Sequence, residues 1–247
     1  MEWSDMAALI IVQARMGSSR FPGKPLAKLK GRPILWYLFH QLSFCRNEVT
    51  PILATTDRQR DDRLAGWGWK NRIKVFRGSE DDVLGRYRDA ARAFGAEDET
   101  PVVRVAGDDI FTDPRLIDAA LDLLASFKGR IDCVFTPVDE ALPASVYVES
   151  YLFSALARAH VEATDPSDRE HVTPYIRRNI EKFPRIEIQG APPCPGIQIS
   201  IDHPEDLELN KKVLDRLQSF ATPPYSVADL LKAMEDIEGE KGGITSV

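Results

Sequence analysis

The chain has 247 residues, 32 Lys and Arg against 38 Asp and Glu, and a formal net charge of −6; its 43% hydrophobic and 28% charged content is ordinary globular composition. That length fits one large α/β domain or two small ones, with a core that needs neither disulfides nor a structural metal. The acidic balance argues against a nucleic-acid binder, and no apolar run approaches the roughly 18 residues of a membrane span, Met6–Val12 being the longest clear one. Met1-Glu2-Trp3-Ser4-Asp5 lacks the basic region of a secretory signal, and Cys45, Cys133 and Cys194 are scattered without a CxxC pair. They fit buried thiols of a cytoplasmic protein.

Ala7–Gln13 reads as a buried strand and Ala14–Pro25 as a loop punctuated by glycine and proline. Pro33 suits the first position of a helix running to about Cys45, with Leu35, Leu38, Phe39 and Leu42 on one face. Val49–Thr55 and Ile73–Phe76 read as strands, with Asp57 as a helix cap between them. Asp81–Phe94 reads as a helix closed by Gly95. Pro101–Val105 is a strand that runs into Gly107-Asp108-Asp109, and Asp113-Pro114 opens a helix to about Phe127 by cap and N1 proline.

Beyond the Ile131–Phe135 strand, the pattern predicts a strand near Val146–Val148, helices at Tyr151–Ala163 and Arg169–Asn179, and a strand at Arg185–Gln189. A loop at Ala191–Gly196 precedes the strand Ile197–Ile201, which delivers Asp202 to a helix begun by Pro204. Val227–Ile237 is a last helix, and Gly239–Val247 reads as a frayed tail. Repeated β-then-α units predict an α/β fold, a mainly parallel sheet covered on both faces, and the absence of a linker makes residues 1–247 one domain.

Open α/β sheets bind ligands at the carboxyl ends of their strands. There, after the first strand, stand Arg15-Met16-Gly17-Ser18-Ser19-Arg20-Phe21-Pro22-Gly23-Lys24, three cations and two small hydroxyl residues on a glycine-bearing loop. Glycine admits close backbone N–H approach to an anion, arginine grips phosphate oxygens with two donors, and prolines limit the entropy lost on binding. The loop is neither a Walker A sequence nor a dinucleotide fingerprint, yet its place favours a polyphosphate site. Asp108 and Asp202 also follow strands. Each is either one of two converging Mg²⁺ ligands or a turn or cap aspartate. Asp109 either joins them or is solvated. No Ser-His-Asp or Cys-His arrangement is discernible, so no covalent enzyme intermediate is expected.

Val12 to Leu26 resembles the signature loop of CMP–sugar-acid synthetases, cytidylyltransferases that activate acidic sugars with CTP, and most of all their spore-coat polysaccharide biosynthesis branch. Phe76–Leu84, Arg104–Asp108, Arg169–Tyr175 and Ile201–Leu207 fit that branch in the same order. The resemblance implies a Rossmann-like three-layer α/β/α sandwich of the nucleotide-diphospho-sugar transferase type, and transfer of CMP from CTP to a sugar acid with release of pyrophosphate. By resemblance, Arg15, Arg20 and Lys24 would hold the triphosphate, with Arg15, Lys24 and Asp108 as the catalytic set. Ala14, Gly17, Ser18 and Ser79 would lie against the nucleotide, and Asp108 and Asp202 would ligate Mg²⁺.

Arg169 could pair with a substrate carboxylate and His171 could bond a sugar hydroxyl, or the two could simply begin a helix. Ala106 stands where many relatives carry glutamine, which weakens any claim about how sugar or base is read there. Relatives are often homodimers through the segment equivalent to about Thr136–Ile188. Competing readings are a glycosyltransferase holding its metal with Asp108 and Asp109, and a catalytically silent nucleotide-binding subunit.

Overall fold

The computed structural model describes residues 7–136, 147–188 and 199–242. Its centre is a seven-stranded sheet built on β1 (Ala8–Gln13), flanked by β4 (Val49–Thr56) and β6 (Pro101–Ala106), both parallel to it. The β1 sequence ALIIVQ shows why: a strand covered on both faces needs a continuous apolar run. Side chains alternate, so Leu9 and Ile11 enter one core cluster while Ala8, Ile10 and Val12 enter the other.

Outside β4 lies β5 (Lys74–Gly78), also parallel. Beyond β6 come β8 (Glu149–Leu152), β7 (Cys133–Phe135) and β9 (Arg185–Glu187). Here the sheet departs from uniform parallel pairing, because β8 runs antiparallel to both β6 and β7. A separate two-stranded antiparallel pair, β2 (Lys28–Leu29) and β3 (Arg32–Pro33), follows the first loop.

One core cluster holds apolar residues of α3 (Val83–Ala93), α5 (Phe153–Glu162) and α7 (Pro174–Arg178). The other holds those of α1 (Ile34–Leu42), α2 (Asp62–Lys70) and α4 (Pro114–Ser126), which gives the α/β/α sandwich. A third cluster joins α8 (Asp206–Phe220) and α9 (Val227–Gly242) to Ile110 and Phe111 after β6 and to Ile199 and Ile201. That packing brings Asp202 beside the central strands.

Local chemistry fixes the helix starts. Asp82 accepts from Gly85 N at 2.8 Å at the head of α3, and Asp113 accepts from Arg115 N at 2.9 Å before Pro114. Several expected boundaries move. Pro33 pairs within β3 and caps α1, which ends at Leu42. Asp57 does not cap a helix; a 3-10 turn at Gln59–Asp61 intervenes and α2 starts at Asp62.

The expected Arg169–Asn179 helix is two short ones, α6 (Pro166–His171) and α7, because Val172 takes a φ of 71° and Pro174 starts a new first turn. Tyr151 belongs to β8, not to the helix after it. Residues 199–201 form no ladder, and α9 extends past Ile237. Val146, Gln189, the Ala191–Gly196 loop with Cys194, Ile197, Gln198 and residues 243–247 lie outside the described residues. Among the described residues no helix is long and apolar enough to cross a membrane.

Candidate active site

Register places the site. Gln13 pairs with both Ala54 and Ala106, so β1 and β6 end level while β4 runs on to Thr56, and their following loops leave from one edge. Gly107 tightens that edge. Its N–H donates to Gln13 O at 2.8 Å, and a Cβ there would lie 2.7 Å from that oxygen and 2.8 Å from the Ala14 Cβ. Only glycine lets the two loops approach so closely, and Asp108 follows it directly.

The first loop is closed on itself. Gly23, at φ 79°, donates its N–H to Met16 O at 2.9 Å, and Phe21 N donates to Ser18 Oγ at 3.2 Å. The left-handed turn at Gly23 starts the 3-10 turn Lys24–Leu26 and aims Lys24 inward. Its Nζ donates to Asp108 Oδ2 at 2.6 Å and approaches Asp202 Oδ1 at 3.4 Å. Arg20 reaches the same Asp202 oxygen at 2.9 Å. Asp202 is held from behind, where Asp206 accepts from the Asp202 and His203 N–H groups at 2.7 Å each.

The structure thus brings together Arg20, Lys24, Asp108 and Asp202 from three separate parts of the chain. Asp109 lies alongside; burial, with the Asp108 carboxylate next to it, pushes its carboxyl well above the usual carboxylate range.

The donor set suits Mg²⁺. The Asp108 and Asp202 carboxylates offer hard oxygen donors, and one cation, the Lys24 ammonium, already lies between them. Among the described residues no group of three or more His, Cys, Asp or Glu could hold a metal. Two carboxylates alone would leave the other positions of such an ion to substrate oxygens and water.

The neighbouring space is polar. A cavity of about 390 Å³ is lined by Gln13, Arg15, Glu80, Arg104, Glu170 and His171, among others. His171 therefore faces the same cavity as Arg15. Ala14 is buried at the strand end and its N–H reaches Ala54 O at 3.3 Å. Gly17 lies beneath the Arg60 guanidinium. Ser79 Oγ accepts from Asp82 N at 3.0 Å, which fixes the turn into α3.

The expectation for Arg169 changes. Its guanidinium is bonded to Asp82, to the carbonyls of His160 and Ala163 at 3.0 and 3.1 Å, and to the His160 ring at 2.8 Å. These contacts tie α6 to α3 and α5, and the Asp82 carboxylate holds the place at Arg169 that a substrate carboxylate would take. Burial opposes ionisation of Asp82, but the hydrogen bonds from Arg169 and Gly85 hold its carboxyl below the usual range.

Sequence reasoning missed Arg58, Arg60, Glu80 and Arg104. The only sequence signal for Arg58 and Arg60 is their place just past the end of β4. Arg104 could have been marked as the single charged residue within an otherwise apolar strand.

Paired opposite charges at the carboxyl edge of a parallel sheet, beside a closed cationic loop, are suited to handling a nucleotide's phosphates, and the chain is a nucleotidyltransferase. It belongs to the cytidylyltransferase family, whose model matches residues 9–236. The spore coat polysaccharide biosynthesis protein SpsF of Bacillus subtilis (strain 168) is 30% identical over 230 residues, 90% of this chain and 92% of that protein. A cytidylyltransferase from Leptospira borgpetersenii serovar Hardjo-bovis (strain JB197) has the same fold at a TM-score of 0.86 and 29% identity, covering 95% of this chain and 96% of that one. The 8-amino-3,8-dideoxy-manno-octulosonate cytidylyltransferase of Shewanella sp. (strain W3-18-1) is 31% identical over 129 residues, 51% of each chain.

Proposed function

We propose that the protein transfers CMP from CTP to an acidic sugar, with Mg²⁺ and release of pyrophosphate, in the making of a surface polysaccharide or glycan. One observation carries the reading: Lys24 of the first loop lies between Asp108 and Asp202, with Arg20 on the second carboxylate. Kinship to a spore coat polysaccharide protein and to a cytidylyltransferase named for an octulosonate supports the acceptor class.

A sugar hydroxyl attacks the α-phosphorus and gives its proton to solvent, a new O–P bond forms, the bond to the bridging oxygen breaks, and pyrophosphate leaves with the electron pair. Such a step needs positioning and charge stabilisation more than covalent help. Arg15, Arg20 and Lys24 orient the triphosphate and take up charge that develops on the departing oxygens. Ala14, Gly17, Ser18 and Ser79 lie against the nucleotide. Asp108 and Asp202 would hold Mg²⁺, which when bound supplies further neutralisation at the α-phosphate. His171 faces the cavity that would receive the acceptor.

The test is pyrophosphate release measured with CTP, Mg²⁺ and a panel of sugar acids that includes octulosonates. Pyrophosphate is expected only when CTP and a sugar acid are both present. Sugar transfer from a nucleotide sugar without pyrophosphate would instead establish the glycosyltransferase reading. Tight CTP binding with no turnover across the panel would establish a silent subunit.

A further inference from the structure

We propose that Arg58 and Arg60 bind the nucleotide's polyphosphate, and that Glu80 is a built-in competitor that holds these arginines and Arg15 until the nucleotide displaces it. The inference rests on the nucleotide reading above and extends it to residues outside the first loop.

Glu80 lies in the turn between β5 and α3, with its side chain only 13% exposed. Arg15 approaches it at 3.5 Å and Arg58 at 3.2 Å, and Arg60 pairs with the oxygen that Arg15 faces. Three guanidiniums thus share one carboxylate, and positive charge is left over. A single exposed ion pair would mean little, but convergence of three on one acceptor builds a site with spare donors.

The turn that carries the carboxylate is anchored, because the Arg86 guanidinium bonds the backbone carbonyls of Ser79 and Glu80, and the Glu80 side chain is only 13% exposed. The arginines are the movable parts, with side chains 40%, 57% and 51% exposed for Arg15, Arg58 and Arg60.

Arg60 also connects this cluster to the first loop. A Cβ on Gly17 would lie 2.7 Å from Arg60 Nε, so the glycine face that an anion could approach is covered by a cation. The segment carrying both arginines is fastened there, since Asp61 accepts from Met16 N at 2.6 Å and pairs with the Thr56 hydroxyl. A substrate carboxylate replacing Glu80 would leave the same surplus of charge. A polyphosphate, with several anionic oxygens, removes it.

Calorimetric titration of the full chain with CTP, and separately with inorganic tripolyphosphate, tests this without turnover. Arg58→Ala and Arg60→Ala are each expected to weaken CTP binding about tenfold, as loss of a charge-assisted hydrogen bond does. Glu80→Gln is expected to tighten CTP binding about threefold to tenfold, and that gain should vanish in the Arg60→Ala background. If an alanine variant fails to fold, Arg58→Lys and Arg60→Lys replace it, with smaller losses in the same direction. Unchanged CTP affinity in the arginine variants, or no gain from Glu80→Gln in a folded protein, overturns the inference alone. A wild-type chain that binds neither CTP nor tripolyphosphate overturns the nucleotide reading itself.

Discussion

Two charged clusters of similar chemistry lie on either side of β6 and do opposite things. At its carboxyl end, one ammonium, Lys24, is shared by two carboxylates, Asp108 and Asp202, whose side chains stay 23% and 20% exposed. Along its body, one carboxylate, Glu149 of β8, is shared by two guanidiniums, Arg104 at 2.8 Å and Arg177 at 2.9 Å. Arg104 and Glu149 are register partners in the β6–β8 ladder, and Arg177 lies over the Phe135 ring at 4.3 Å.

Burial opposes ionisation of Glu149, yet the two arginines hold its carboxyl below the usual range. The first cluster, in which Lys24 and Arg20 balance two carboxylates, lies at an open edge where a ligand's charges can exchange with its own. The second closes on a carboxylate only 8% exposed and cross-braces the antiparallel part of the sheet. Open valence, more than residue type, separates a binding group from a brace.

The sharpest way to break this comparison is to delete the open cluster. Lys24→Ala and Asp108→Ala should each lower kcat/KM for pyrophosphate release on the order of 1000-fold, about 4 kcal/mol of transition-state stabilisation. Stability should change little, since partly exposed pairs contribute roughly 0–1 kcal/mol. Turnover within tenfold of wild type in both variants would remove the site. The second cluster predicts the reverse. Glu149→Ala removes the buried carboxylate that Arg104 and Arg177 share and should cost about 2–3 kcal/mol in urea unfolding, less than a fully buried pair because both guanidiniums keep some access to water. A loss under about 1 kcal/mol would show that water reaches the carboxylate as well.

The contrast also explains what could be read in advance. The strand β1 was legible because burial on both faces demands an unbroken apolar run, β4 and β6 through their short β-branched cores, and Asp113-Pro114 announced its helix by cap and proline. The site loop was legible because cations and glycine follow a strand at once. Arg169 was not. An arginine at a helix start looks the same whether it awaits a substrate or is bonded to Asp82, and only tertiary contact decides. The break of 169–179 into two helices was hidden too, because it depends on Val172 taking a positive φ that a β-branched residue seldom adopts. Glu80 was invisible for the same reason as Arg169: its three partners lie up to 65 residues away.

The Arg169 tie supplies the smallest effect and the finest test, because acid should release it in two steps. Burial, then the nearby Arg88 and Arg169 charges, lower the His160 pKa below its ordinary 6.5. The unfolded imidazole then takes up a proton more readily than the folded one, so stability falls as pH drops below 6.5. Asp82 has a folded pKa below its ordinary 3.8, so its contribution is present above 3.8 and is lost only as pH falls further through the folded value. Solvent screening at this partly exposed pair limits each step to about 1 kcal/mol or less. In urea unfolding, His160→Gln should flatten the decline between pH 7.5 and 5.5. Asp82→Asn should instead lower stability by a constant amount across that range and converge toward wild type only below pH 3.8. Convergence of the Asp82→Asn curve already at pH 5.5 would mean that Asp82 titrates high, and that Arg169 is not its firm partner.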